Sequence, residues 1–284
     1  MTRTRRFLQV DVFGAVPTRG NALAVVVDGE GLDAETMQRF AAWTNLSETT
    51  FLLSPDDASA DYRVRIFTPT HEMRFAGHPT LGSCMSWLHA GGVPREAGTV
   101  RQECPIGIVE IDVSGAAPAF IAPPTEIAPM ADAEREAIVT GLGIAPERVV
   151  GAARLDNGPD WALLELAAAA DVLAVDSARA VGIEIETHSI GLIGRQEADA
   201  DTDYEVRMFA PKANIGEDPI TGSLNAAVAR WLAANGRLEG DLVIAQGTRI
   251  DRLGRVHVRP DPDDASRIAI GGEVHVLVEG RVTL

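Results

Sequence analysis

Cysteine is scarce in this 284-residue sequence, and long apolar runs are absent. The only two cysteines, Cys84 and Cys104, are typical of a reducing compartment and not of a disulfide-stabilised secreted domain. No stretch reaches the roughly 20 apolar residues that a membrane-spanning helix needs. The basic start of the chain resembles a signal peptide only superficially, because Gln9 and Asp11 interrupt its apolar part. We therefore expect a cytoplasmic protein with no membrane partner.

Basic residues are also few. The 25 Lys and Arg residues are outnumbered by 41 Asp and Glu residues, which gives a net charge of −16. A charge of this sign repels the phosphate backbone, so we expect no nucleic-acid partner. A small anionic metabolite would need a local positive feature such as a helix N-terminus. The hydrophobic share of 46% is ordinary for a folded globular protein.

The sequence lacks the common cofactor and metal motifs. It contains no glycine-rich dinucleotide-binding or phosphate-binding loop, and His71-Glu72 lacks the second histidine of a zinc protease motif. The two cysteines lie far apart, without clustered histidines. We therefore expect no cofactor and no metal.

Strand-like and helix-like patterns occur in both halves of the chain, which predicts an α+β protein. A proline-rich stretch from Gly115 to Pro129 separates them. At this length two domains are expected. We place the N-terminal lobe at residues 1–115 and the C-terminal lobe at residues 116–273.

An internal repeat links the two halves. The segment Tyr62–Pro69 recurs as Tyr204–Pro211, and His78–Ser83 recurs as Asp218–Ser223. Each copy is typical of a strand, a loop and a helix, with His78 or Asp218 as N-cap and proline at the first helical position. Related halves commonly pack about a pseudo-twofold axis, so we expect the two helix N-termini to face one cleft.

Three side chains are candidates for proton transfer. His78 and Asp218 could exchange protons with a ligand bound at the helix starts, or could serve only as caps. Glu48 lies between a predicted helix and an apolar strand. Partial desolvation there would raise the pKa of its carboxyl group and make it an acid and base, whereas a loop glutamate is more often exposed.

Several motifs, in order along the chain, carry a family resemblance. The sequence resembles the PhzF-like proteins of phenazine biosynthesis, which share the diaminopimelate epimerase fold. The motifs are Asp11-Val12-Phe13 with Gly20-Asn21, Asn45-Leu46-Ser47-Glu48-Thr49-Thr50-Phe51, Phe75-Ala76-Gly77-His78-Pro79-Thr80-Leu81-Gly82, Gly216-Glu217-Asp218-Pro219-Ile220-Thr221-Gly222-Ser223 and Gln246-Gly247.

The resemblance implies two similar domains, each a curved mixed sheet around a central helix, with residues 274–284 returning to the N-terminal lobe. It implies a homodimer that acts on a small anionic metabolite without a cofactor. It further implies that Glu48 shuttles the proton. The residues implied around the substrate are His78 and Asp218 as further catalytic residues, and Asn21, Gly77, Gly222 and Ser223 as binding residues.

The sequence departs from the epimerase branch of this fold, whose members carry a thiol at each central-helix start. Neither helix start has a cysteine here, and the helical spacing of Cys84 predicts a core residue. A single carboxyl group, Glu48, would shift a proton and a double bond, as in trans-2,3-dihydro-3-hydroxyanthranilate isomerase. The alternatives are an epimerase or racemase of a small amino acid, and a non-catalytic small-molecule binding protein.

Overall fold

A computed structural model describes residues 3–187, 189–211 and 216–284 of the chain. The chain forms two compact units. The first comprises the residues up to Ile121 together with Gly271–Leu284, and the second comprises Ala122–Ile270. No helix in the described ranges is long and apolar enough to cross a membrane.

The first unit opens with eight strands and two α-helices. In chain order they are β1 (Thr4–Val12), β2 (Asn21–Val26), α1 (Ala34–Thr44), β3 (Glu48–Leu53), β4 (Tyr62–Phe67), β5 (Glu72–Met73), α2 (Gly77–His89), β6 (Thr99–Cys104), β7 (Gly107–Asp112) and β8 (Ala119–Ile121). The carboxylate of Asp33 accepts from the Thr36 amide at the start of α1, so Asp33 is the N-cap of this helix.

The second unit follows with α3 to α5 and the next eight strands. In chain order these are β9 (Glu126–Ala128), α3 (Asp132–Leu142), β10 (Val149–Asp156), β11 (Asp160–Leu166), α4 (Ala169–Ala174), β12 (Ser189–Arg195), β13 (Tyr204–Phe209), α5 (Gly222–Ala234), β14 (Leu242–Gln246), β15 (Gly254–Pro260) and β16 (Ile268–Gly271). The last strand, β17 (Val274–Thr283), pairs antiparallel with β1 in the first unit.

The sheet of the first unit is mixed and curves about helix α2. Strands β1 and β2 pair antiparallel, β2 and β3 parallel, β3 and β4 antiparallel, β4 and β6 parallel, and β6 and β7 antiparallel. Helix α2 contacts β1, β2, β3, β6, β8 and β17. Because a single helix contacts so many strands of the sheet, the sheet bends around it.

The second unit repeats the same strand order. Strands β10 to β15 pair in turn antiparallel, parallel, antiparallel, parallel and antiparallel. Helix α5 follows β13 as α2 follows β4 and β5, and α4 lies between β11 and β12 as α1 lies between β2 and β3. The repeated sequence segments Tyr62–Phe67 and Tyr204–Phe209 therefore form matching strands of two units with one topology.

Helix α5 is rich in apolar residues and is buried over most of its length. A helix without a polar face needs protein on every side, since exposed apolar surface costs about 25 cal/mol for each Å². A cluster of buried side chains also packs between the sheet of the second unit and its shorter helices, α3 and α4. Its members include Ile138, Leu142, Leu164, Val172 and Phe209.

Candidate active site

Glu48 and His78 lie side by side in the first unit. Glu48 is the first residue of β3, where the parallel ladder places it beside Leu23 of β2. His78 is the second residue of α2. The Nε2 atom of His78 lies 3.1 Å from Oε2 of Glu48, and the two side chains are 5% and 13% exposed. Glu48 and His78 are therefore close and mostly buried within this unit, whereas the catalytic role of Glu48 stays a prediction.

The imidazole of His78 is held neutral by burial. Desolvation lowers the pKa of His78 to about 3 from an ordinary value of 6.5. Nδ2 of the Asn21 side chain lies 3.4 Å from Nδ1 of the ring, and Asn21 is 1% exposed. The close contact between Nε2 and Glu48 is not aligned as a hydrogen bond. Catalytic groups commonly align only when substrate is bound.

Helix α2 begins two residues earlier than the sequence predicts. It starts at Gly77 with Ala76 as N-cap, so His78 is inside the helix, and the prediction that His78 is the N-cap is wrong. Pro79 is tolerated at the third helical position because the first-turn amides have no acceptor within the helix. The Thr80 amide closes the first turn by donating to the Ala76 carbonyl at 3.2 Å.

Helix α5 begins later than predicted. It starts at Gly222 with Thr221 as N-cap, so Asp218 precedes the helix, and the prediction that Asp218 is its N-cap is also wrong. The Thr221 amide donates to Oε1 of Gln246 at 3.0 Å instead of joining a helical turn. The hydroxyl of Thr221 donates to Oδ2 of Asp218. These bonds hold Asp218 in a turn before the helix.

The structure therefore pairs different residues of the two repeat copies from those that the sequence pairs. Gly77 and Gly222 are the first residues of two 13-residue helices, and His78 and Ser223 are the second. The sequence repeat had matched His78 with Asp218. Both second residues are buried, at 4% and 6% exposure.

Two asparagines contact the starts of these helices, and the sequence motifs predicted neither contact. Asn21 contacts His78 in the first unit, and Nδ2 of Asn157 donates to the Ser223 carbonyl at 2.8 Å in the second. Asn157 also accepts a hydrogen bond from the indole of Trp161 at 3.1 Å. Asn157 stands in an Asp-Asn-Gly-Pro sequence that is typical of a turn, so no sequence signal marks its role.

Neither cysteine is placed to act as a base at a helix start. Cys84 is fully buried within α2, which confirms it as a core residue, and burial raises the pKa of its thiol. Cys104 is also buried, at the end of β6, and burial raises its pKa. In the described residues no group of three or more His, Cys, Asp or Glu side chains could hold a metal ion.

The predicted site residues divide between the two units. Asn21, Glu48, Gly77 and His78 belong to the first unit. Those in the second unit are Asp218, Gly222 and Ser223. That both groups serve one substrate stays a prediction.

The sequence matches known proteins along nearly its whole length. It is 33% identical to "Antisense-enhancing sequence 1" of Schizosaccharomyces pombe over 97% of both chains. It is 29% identical to trans-2,3-dihydro-3-hydroxyanthranilate isomerase of Pseudomonas chlororaphis over 98% of this chain and 99% of the relative.

A solved structure has the same fold. The PhzF-family phenazine biosynthesis protein of Bacillus anthracis superposes with a TM-score of 0.82 at 23% identity, covering 99% of each chain. The sequence also matches the family described as phenazine biosynthesis-like protein, PhzC-PhzF, over residues 10–280. The chain therefore belongs to the PhzC-PhzF phenazine biosynthesis-like family.

Proposed function

We propose that this protein is a cofactor-independent isomerase that moves a proton, and with it a double bond, within a small carboxylate-bearing metabolite. The observation that carries the proposal is the buried contact of 3.1 Å between Glu48 and His78. A relative named as trans-2,3-dihydro-3-hydroxyanthranilate isomerase aligns over 98% of this chain and supports a substrate of that class.

The reaction needs only one proton-carrying group. The Glu48 carboxylate takes a proton from one carbon, and the electrons of that C–H bond shift the double bond along the substrate. The Glu48 carboxylic acid then returns the proton to another carbon on the same face. The product is therefore an isomer of the substrate, and the Glu48 carboxylate returns to its ionised starting state.

Developing negative charge on the substrate needs nearby hydrogen-bond donors. The first amides of α2, including those of Gly77 and His78, have no acceptor within the helix, and the helix N-terminus favours an anion. We propose that these groups bind the substrate carboxylate beside Glu48. Catalytic assistance from Asp218 and binding by Gly222 and Ser223 stay predictions of the resemblance, as does the homodimer.

An epimerase is less well supported. Inversion at a carbon normally uses an acid and a base on opposite faces, and the buried cysteines offer no such pair. The 33% identical relative has a name that specifies no reaction, so a binding protein of this fold is the remaining alternative.

The test is proton NMR of trans-2,3-dihydro-3-hydroxyanthranilate in heavy water with the wild type and Glu48→Gln. We expect isomerisation with deuterium uptake for the wild type and a loss of at least about 10²-fold in rate for the variant. Glu35→Gln is the matched control, because Glu35 is an exposed carboxylate on α1 of the same unit.

Three outcomes are informative. Full activity in Glu48→Gln refutes Glu48 as the proton carrier. Inversion of a stereocentre without a double-bond shift selects the epimerase. Binding measured by calorimetry without turnover in the wild type selects the binding protein.

A further inference from the structure

Asn21 is placed to act on His78 and not directly on a ligand. It is the first residue of β2 and is 1% exposed. Its Nδ2 atom lies 3.4 Å from Nδ1 of His78, on the side of the ring opposite the Nε2 atom that contacts Glu48. The resemblance implies that Asn21 binds substrate, whereas its burial and this contact favour an indirect role.

The chemistry of the amide decides which ring nitrogen carries the hydrogen. An asparagine Nδ2 has hydrogens and no lone pair to offer, so it can only donate. Nδ1 of His78 must then be the acceptor and carries no hydrogen. A neutral imidazole has one N–H, which therefore lies on Nε2.

We propose that Asn21 is a positioning residue that holds His78 in the tautomer whose Nε2 hydrogen faces Glu48. The proposal deepens the proposed function and rests on it for the link to catalysis. It assigns to His78 the role of a hydrogen-bond donor to Glu48 in the substrate-bound enzyme, where the two groups align. Glu48 is then the group that carries the proton to and from substrate.

The backbone around Asn21 is tightly constrained, so its side chain has a defined direction. The Gly20 amide donates to the buried carboxylate of Asp11 at 2.9 Å. A Cβ atom on Gly20 would lie 2.4 Å from the Val12 carbonyl oxygen and 2.8 Å from Oδ1 of Asp11. Only glycine fits there, and the antiparallel ladder places Asn21 opposite Val12.

The second unit has an asparagine in the corresponding place. Asn157 precedes β11 as Asn21 begins β2, and it bonds Ser223, the residue that matches His78 in its helix. Both units thus use an asparagine amide to hold the second residue of the helix. In the first unit alone this contact reaches a titratable ring.

A hydrogen on Nε2 of His78 favours the ionised form of Glu48. A hydrogen bond donated to a carboxylate stabilises its ionised form, which is the form that removes a proton from carbon. With the other tautomer, a lone pair on Nε2 would face the Glu48 oxygen at 3.1 Å and repel that form. The tautomer thus determines whether Glu48 is ready to act as a base.

The experiment is long-range proton–nitrogen correlation NMR of the ligand-free protein, labelled with ¹⁵N in its histidine rings. His78→Gln assigns the resonances of His78 by their absence. We expect Nδ1 of wild-type His78 to resonate in the unprotonated range and Nε2 in the protonated range. A protonated Nδ1 in the wild type overturns the proposal.

The test variant is Asn21→Asp, and its matched control is Asn235→Asp. An aspartate at position 21 accepts instead of donating, so we expect Nδ1 of His78 to become protonated. Asn235, at the C-terminal end of α5, bonds the Trp231 carbonyl and should leave the spectrum of His78 unchanged. An unprotonated Nδ1 in a folded Asn21→Asp protein overturns the proposal, and the wild-type spectrum decides it if that variant does not fold.

Turnover of trans-2,3-dihydro-3-hydroxyanthranilate tests the link to the reaction. We expect kcat of Asn21→Asp to fall by about 10²-fold with little change in KM, as expected for loss of the productive tautomer. An unchanged kcat with an altered tautomer refutes that link. Because the spectra need no substrate, an inactive wild type counts against the proposed function and leaves the spectra to decide the tautomer.

Discussion

The side-chain amide of Gln246 bonds Thr221 twice, since its Oε1 accepts from the Thr221 amide and its Nε2 donates to the Thr221 hydroxyl, each at 3.0 Å. Gln246 ends β14 and is fully buried. Its Oε1 also accepts from Nδ2 of Asn225 at 2.7 Å. This network holds the turn in which Thr221 bonds Asp218, so a residue on a distant strand fixes the start of α5.

Replacing Gln246 with leucine should destabilise the protein by about 2–4 kcal/mol, because two buried donors, the Thr221 amide and Nδ2 of Asn225, lose their acceptor. Urea unfolding measures the change. Gln38→Leu is the control, since it removes a single bond to the Thr68 carbonyl and should cost about 1 kcal/mol. Equal effects of the two substitutions would contradict the importance of the network.

The neutral, buried His78 should make stability depend on pH. Burial lowers its pKa to about 3, whereas an unfolded histidine titrates near 6.5. Between these values the unfolded chain binds a proton that the folded chain does not. The contribution of His78 is therefore complete above pH 6.5 and declines by up to about 1.4 kcal/mol per pH unit as the pH falls towards 3.

The measurement is the difference in unfolding free energy between pH 7 and pH 5 for the wild type and His78→Gln. We expect a smaller difference in the variant. His89→Gln is the control because His89 is an exposed histidine of the same helix. If His78→Gln and the wild type respond identically to pH, His78 is not buried in neutral form.

Glu205 should destabilise the protein at neutral pH. It is 1% exposed on β13, and burial raises its pKa to about 6, although a hydrogen bond from Thr248 and the nearby Arg255 oppose the shift. A raised carboxyl pKa means that the folded state binds the proton more tightly. Stability from this group is therefore present below pH 4.5 and is lost as the pH rises through 6.

Glu205→Gln should accordingly raise the unfolding free energy at pH 7 by about 1 kcal/mol and have less effect at pH 4. Thermal unfolding at the two pH values measures this. Glu197→Gln replaces an exposed glutamate of the same unit and should change neither value. A loss of stability at pH 7 in Glu205→Gln would show that the charge is favourable where it lies.

A buried ion pair anchors the residue before Asp218. Arg207 and Glu217 form a bidentate pair at 2.6 and 3.0 Å, and their side chains are 1% and 2% exposed. Arg207 also donates to the carbonyls of Val172 and Val175 at 2.9 and 2.6 Å. Removing one charge leaves the other buried without compensation.

Glu217→Gln should therefore cost about 3–5 kcal/mol. The double variant Arg207→Met with Glu217→Leu should cost less than the sum of its single changes, because neither charge is left alone. Chemical denaturation of the four proteins measures the coupling. Glu35→Gln, which breaks the exposed pair with Arg39, should cost less than about 1 kcal/mol. Additive effects at Arg207 and Glu217 would refute the coupling.

Local sequence patterns predicted the local structure well. The alternating segments Tyr62–Phe67 and Tyr204–Phe209 are strands, and Cys84 lies in the core. Each of these depends on a periodicity among residues close in sequence. The repeated segments also indicated two related halves, and the strand order of the two units agrees.

The sequence by itself thus determined the elements, the repeat and the family, because spacing and motif are properties of neighbouring residues. Only the tertiary structure decided where the repeated helices begin and which groups meet Glu48. Asn21 reaches His78 across 57 positions, and Gln246 reaches Thr221 across 25. Contacts of this kind depend on which strands pair and on how the sheet curves around its helix, and these are properties of the whole packed unit.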